Sequence, residues 1–406
     1  MRALFPRLGA DFSKLWTASA VSNLGDGITM AAGPLLVASI TTDPAAVAGA
    51  VFAQQLPWLL FALLSGAWAD RLDRRRLVVT VNLVRAAALA GLVAATATDQ
   101  VTVPVIYAVF FLLGTGETLS DTASSAFVPA LVPSDRLPTA NAWLGATFTV
   151  INQFAAKPLG AWLFVIAAAV PFGVNALTFA ASAALIASIR SLPAPPARTR
   201  TSLRADIAEG VRWLWRHRLL RTLAVTMAFS NVIYCAAFAI FVLYAFERLG
   251  LGQVGYGVLL TAFAVGGLAG TVVAPRLLTT VDTTLLLRAG LFVEVALHGT
   301  LALTRNPFVA AAMIVVFGVH TMIWGNIVIT LRQRAVPAAL YGRVTSVYSL
   351  LDLGGAALGS LLGGAVAQAY GIVATFGTAS AAMAVVLLLA WRSLGAGVPG
   401  GHIVTR

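Results

Sequence analysis

The sequence predicts an all-α integral membrane protein with twelve spanning helices in two sets of six and both termini in the cytoplasm. Three observations predict it. Of its 406 residues, 59% are hydrophobic and only 10% charged, where soluble domains carry about a quarter charged residues. Apolar runs of about 20 residues, enough to cross a bilayer, recur along the whole chain. The basic residues gather on one side of those runs.

The first set of runs lies at 15–39, 46–69, 77–97, 102–127, 139–165 and 168–190. The second lies at 219–246, 253–278, 283–303, 307–330, 342–369 and 371–392. The stretch from Met1 to Lys14 is short and basic, and the apolar run behind it is too long for a cleavable leader, so that run reads as the first span. Pro193, Pro195 and Pro196 break the sixth helix and open the one long polar interval. The chain therefore divides into a first half 1–190, a linker 191–218, a second half 219–392 and a tail 393–406. Within the linker, Leu203, Ile207, Val211 and Leu214 recur among arginines, the pattern of a helix lying on the membrane surface.

Charge placement orients the spans. Of the 27 lysines and arginines, 23 fall in the termini and the loops of one side. Only Arg248 and Arg305 fall on the other, and Arg85 and Lys157 lie within spans. Cytoplasmic loops carry such an excess, so both ends are assigned to the cytoplasm. The same placement removes nucleic acid as the reason for the net charge of +12, because the charge sits beside the inner leaflet, where anionic lipid attracts it. A single cysteine, Cys235, excludes a disulfide framework. Four scattered histidines give no metal-ligand spacing, and no nucleophile–base pair marks an enzyme. There is no Gly-x-x-x-x-Gly-Lys-Ser/Thr phosphate loop, so no cofactor, metal or ATP-driven cycle is expected.

The two halves echo one another: VPSDRLPTANAW after the fourth run matches VPAALYGRVTSVY after the tenth. In the loop after the second run stands Gly66-Ala-Trp-Ala-Asp70-Arg71-Leu-Asp73-Arg74-Arg75-Arg76. It resembles the signature of the major facilitator superfamily, in which Gly, three residues and Asp-Arg precede a second Gly and paired basic residues; Asp73 stands where the second Gly is usual. The resemblance implies two six-helix halves with a substrate site between them near the midplane. Asp70 would end the second helix, where the helix dipole disfavours a carboxylate. A latch is therefore expected from Gly66, Asp70, Arg71, Arg75 and Arg76, with Asp70 docking on the start of the eleventh helix near Arg343.

Further pieces resemble the branch of that superfamily holding macrolide-efflux proteins and enterobactin-type siderophore exporters. They are Asn23-Leu-Gly25-Asp26-Gly27, Gly116-Glu117 with Asp121, Val132-Pro133 with Asn141-Ala142, the linker EGVRWLWRH, and Arg332-Gln333 with Gly342-Arg343. In the fifth helix, Lys157-Pro158-Leu159-Gly160-Ala161 departs at lysine from the Gly-Pro-x-x-Gly-Gly of antiporters. The resemblance implies a secondary exporter of a drug, antibiotic or siderophore-like molecule, working by proton antiport and alternating access. It would be a functional monomer in the bacterial inner membrane, with protons, substrate and lipid as partners. Uptake, lysophospholipid transport, or a sensor that binds without flux are the alternatives.

Ionisable groups inside a membrane are costly and mark function. Asp26, Glu117, Asp121 and Asp352 are the candidates for proton coupling, and Arg85 is the candidate for an ion pair. Arg85 matches Asp121 in depth from the inner side, which makes that pair the expected one. Glu294 and His298, four apart, are expected in a packing or interfacial role. Lys157, Asn231, Tyr234, Phe238, His320 and Trp324 are the candidates for lining a substrate cavity.

Overall fold

A computed structural model of the chain describes residues 8–69, 73–125, 127–189 and 203–395; side chains at 62–69, 203–207 and a few single positions fall outside that description. The described residues form helices and no strands.

The first half holds α1 (Ala10–Ala38), α2 (Pro44–Ala69), α3 (Arg74–Ala97), α4 (Val103–Ser125) and α6 (Val170–Ala187). Between the last two, α5 runs from 137 to 166 in three parts: Leu137–Thr147, a π-helical stretch Phe148–Ala156, and Lys157–Ile166. The π turn precedes Pro158, whose ring nitrogen cannot donate to the turn before it. The linker carries α7 (Leu203–Arg216). The second half follows as α8 (Arg218–Ala239), α9 (Gln253–Thr280), α10 (Thr283–Leu303), α11 (Pro307–Ala335), α12 (Ala338–Tyr370) and α13 (Ile372–Gly395). Two compact units result, one of Met1–Thr42 and Gly49–Ala197, the other of Asp43–Ala48 and Arg198–Arg406.

Ten of these helices, among the described residues, are long and apolar enough to cross a membrane. The two expected spans outside that number are α1, whose apolar run is diluted by Asn23, Asp26 and Pro34, and α5, broken by its π stretch. Helix starts are set by short-range chemistry. Asp282 accepts from the Leu285 N–H at 3.0 Å, and Asn306 accepts from Phe308 at 2.9 Å just before Pro307. Asp73 accepts from the Arg76 N–H at 3.1 Å and caps α3 at φ −61°. A glycine there would supply neither the cap nor any needed left-handed turn, which is a physical reason for the departure from the family signature.

Helix pairing repeats between the units. In the first, α1 meets α5 and α6, and α3 meets α4 and α6; in the second, α8 meets α12 and α13, and α10 meets α11 and α13. Glycines permit the closest approaches at matching places. A Cβ on Gly160 of α5 would sit 2.3 Å from the Ile28 carbonyl of α1, and one on Gly363 of α12 would sit 2.1 Å from the Ala236 carbonyl of α8.

The linker helix α7 is not a freely lying surface helix throughout. Leu214 is fully buried, and Gly210 passes close to the Arg343 carbonyl at the start of α12. Val211 and Trp215 remain exposed. Leu203 and Ile207, which complete the expected apolar stripe, carry side chains outside the described set. His217 then breaks the helix with extended backbone and caps α8.

Candidate functional site

The first unit gathers its intramembrane charges around one guanidinium. Arg85, 1% exposed, reaches from α3 and donates through Nη2 to Asp26 Oδ1 on α1 at 2.5 Å. Its guanidinium carbon lies 3.8 Å from the centroid of the Phe179 ring on α6, a cation–π contact strengthened by desolvation. Its stem passes Gly116 on α4, where a Cβ would stand 2.6 Å from Arg85 Cδ. Ser22, one turn before Asp26, donates to the other carboxylate oxygen at 3.5 Å.

Glu117 and Asp121 stand one turn apart on α4, and both lie within electrostatic reach of Asp26 and Arg85. The Trp58 indole of α2 hydrogen-bonds the Glu117 carboxyl. Glu117 is half-buried and Asp121 exposed. One carboxylate thus pairs with the cation, and two more lie within electrostatic reach of it. The expected Arg85–Asp121 pair is replaced by Arg85–Asp26. Gly116 lets the arginine stem pass α4 and reach α1. That direction around the helix axis is invisible in depth alone.

Around the cluster, buried polar groups join the helices of this unit. Asn175 Nδ2 of α6 donates to Thr29 Oγ1 of α1 at 2.7 Å, and Asn82 of α3 donates to Ser182 of α6 at 3.2 Å. Asn152 in the π stretch donates to the Asn23 carbonyl at 3.1 Å. Lys157, expected to line a cavity, is 6% exposed and donates to Gln153 Oε1 at 2.6 Å.

The second unit has its own buried pair. Glu294 Oε1 on α10 and His320 Nε2 on α11 stand 3.2 Å apart. Glu294 and His298, expected in a packing or interfacial role, are both buried. His298 Nδ1 stands 2.8 Å from the Glu294 backbone carbonyl one turn away. His320 and Trp324, expected to line a cavity, are 7% and 8% exposed and lie in the helix packing, edge to face, with Phe317 on the other side of the imidazole. Gly290 makes the room: a Cβ there would lie 2.5 Å from His320 Cε1. The remaining cavity candidates stay partly exposed. Tyr234 stacks on Phe238 and on Phe317, and Asn231 donates to the backbone carbonyl of Asp352. The Asp352 carboxyl itself is half-buried.

The expected latch is only partly visible. Asp70 and Arg71 lie outside the described residues, as does everything about Gly66 beyond its helical backbone. Arg75 donates to the Ala187 carbonyl at the end of α6, and Arg76 is exposed, 3.8 Å from Asp73. Arg343 pairs with Glu209 of the linker helix. Phe179, Trp58, Gly290 and Glu209 were not anticipated from sequence. Only Glu209 carried a signal, as an acid in an arginine-rich amphipathic stretch.

A family model described as transmembrane secretion effector matches residues 3–395. The multidrug efflux pump Tap of Mycolicibacterium fortuitum is 27% identical over 376 residues, covering 88% of this chain and 90% of that protein. An uncharacterized MFS-type transporter of Mycobacterium tuberculosis is 31% identical over 182 residues, 41% of each chain. Among solved structures, a bacterial homologue of the iron transporter ferroportin in its inward-facing state superposes with a TM-score of 0.74 at 18% identity, covering 95% of this chain and 98% of that one. A D-xylose-proton symporter gives 0.73 at 13% identity, covering 97% and 99%. At these identities the structural matches establish the fold.

Proposed function

We propose a proton-coupled exporter as the role of this chain, which belongs to the transmembrane secretion effector family of major facilitator transporters. It is a multi-pass membrane transporter of small molecules and not an enzyme. The finer reading is an antiporter that expels a drug- or metabolite-sized molecule by alternating access, as a monomer in the bacterial inner membrane. Its twelve spans include α1 and α5, and its termini are cytoplasmic, as the loop charge bias supports.

The observation that carries the proton coupling is the cluster of Asp26, Glu117 and Asp121 around Arg85. Fully ionised, it would hold two negative charges beyond the guanidinium inside a span, where an ionised group is costly. Binding protons removes them. Asp26 is occupied by Arg85, so Glu117 and Asp121 are the groups that gain and lose protons. One proton moving down 100 mV supplies ~2.3 kcal/mol, a gradient of roughly fiftyfold. Export rather than uptake is supported by the efflux-pump relative, whose similarity runs over most of both chains.

Everted membrane vesicles containing the protein test both parts. An imposed inward-acid gradient should drive accumulation of dye-like substrates, with Glu117→Gln and Asp121→Asn together reducing it at least tenfold. Gradient-driven accumulation undiminished in that double variant would overturn the proton assignment. Accumulation only in right-side-out vesicles would overturn the direction.

A further inference from the structure

The second half carries a groove of about 560 Å³ between α8 and α13. Both helices are long and apolar enough to cross a membrane. The walls are apolar over most of the length, with Val225 and Phe229 on α8 facing Val385 and Leu389 on α13. Phe229, Val385 and Leu389 are exposed in the whole chain, the last at 77%. In a bilayer such a face meets acyl chains, and a groove in it takes one.

One end of the groove has different chemistry. Arg221, in the first turn of α8, lines it and donates through Nη1 to the Trp215 carbonyl at 2.9 Å. Trp215 lines it from the end of the linker helix and is 53% exposed. Arg212, Arg216 and Arg218 are exposed on the same two helix ends. No acid lines the groove, and Glu209, the acid of the described part of α7, is held by Arg343. A slot that is apolar along its length and ends in an indole and a guanidinium matches an amphiphile with one buried chain and an anionic head. Basic pockets between spanning helices on the cytoplasmic side select anionic lipid in this way. In the orientation proposed above, this end lies at the inner leaflet.

We propose that this groove binds an anionic phospholipid of the bilayer, with an acyl chain between α8 and α13 and its phosphate at Arg221. The bound lipid would tie the linker helix, through Trp215, to the two spans. The inference goes beyond the proton-coupled export reading and does not depend on the direction of transport. Because the lipid test is run on detergent-solubilised protein without any gradient, its failure is distinct from failure of that reading.

The test is native mass spectrometry of the full-length, delipidated protein titrated with phosphatidylglycerol or phosphatidylcholine. The wild type should retain phosphatidylglycerol at least fivefold more than phosphatidylcholine, with excess inorganic phosphate displacing little of it. Arg221→Ala should bring phosphatidylglycerol down to the phosphatidylcholine level, while Arg221→Lys, which keeps the charge, should preserve most of the preference. Ala382→Phe, which fills the groove without touching the arginine, should reduce both lipids. Equal retention of the two lipids by the wild type, or Arg221→Ala and Ala382→Phe binding phosphatidylglycerol as the wild type does, would overturn the site. Displacement of the lipid by inorganic phosphate alone would also overturn it, by showing an anion site without a chain site.

Discussion

The first half ties its buried acid to an arginine, and the second half ties its own to a histidine. The two pairs are almost equally buried, with side chains 2% and 10% exposed for Arg85 and Asp26, and 6% and 9% for His320 and Glu294. Burial therefore does not distinguish them; the base does. Arginine stays charged in proteins, so a proton arriving at Asp26 strands a buried cation. A histidine carries no fixed charge, so the 3.2 Å contact of Glu294 with His320 holds no permanent cation. The first pair exists only as an ion pair, and two further carboxylates share its surroundings. The second is bridged across adjacent helices in a pocket opened by Gly290, and it needs no fixed charge. The same helix pairing thus carries one buried acid held by a fixed cation and one held by a base without a fixed charge.

Breaking the arginine should have the largest effect. Arg85→Leu leaves Asp26 buried without its partner and should destabilise the protein by about 3–5 kcal/mol, read from unfolding in detergent. Arg85→Leu combined with Asp26→Leu should recover most of that loss while transport stays abolished. An Arg85→Leu protein as stable as the wild type would dissolve the contrast, because the first pair would then be as tolerant as the second.

Gly290→Ala comes next. Its methyl must displace the His320 ring or the helix that carries it, at about 1–3 kcal/mol. Combining it with His320→Ala should be clearly less than additive, since the two changes share one contact; full additivity would show that the pocket is not what holds the imidazole. Glu294→Gln should lose only about 1 kcal/mol, because the amide can still hydrogen-bond the His320 imidazole. A loss as large as that of Arg85→Leu would mean that the second pair is also obligately ionic. The smallest change is outside both pairs: Asp73→Ala removes the α3 cap and should lose ~1 kcal/mol, while Asp73→Asn should lose little.

Some of this was legible from the residues. The apolar runs match the helices within a few residues, because transfer into lipid is decided locally. Pairings were not legible. Arg85 reached Asp26 rather than Asp121, and the contact of Glu294 with His320 had no counterpart in the sequence reading. In both cases the deciding feature was a glycine on a neighbouring helix face, Gly116 or Gly290, which opened a path for a long side chain or a ring. Asp73 shows the reverse case: its role as a cap follows from its own neighbours, yet the family signature drew attention to the missing glycine.

Sequence alone was enough to tell that this chain lives in a membrane and how its helices follow one another. Hydropathy and loop charge are properties of short segments, so no knowledge of the fold is needed to read them. Tertiary structure alone decided which acid meets which base and that Lys157 and His320 are buried. It also decided that the linker helix docks through Leu214 while leaving Trp215 beside an apolar groove. Those outcomes depend on the rotation of each helix about its axis, which is set by packing against helices distant in the chain.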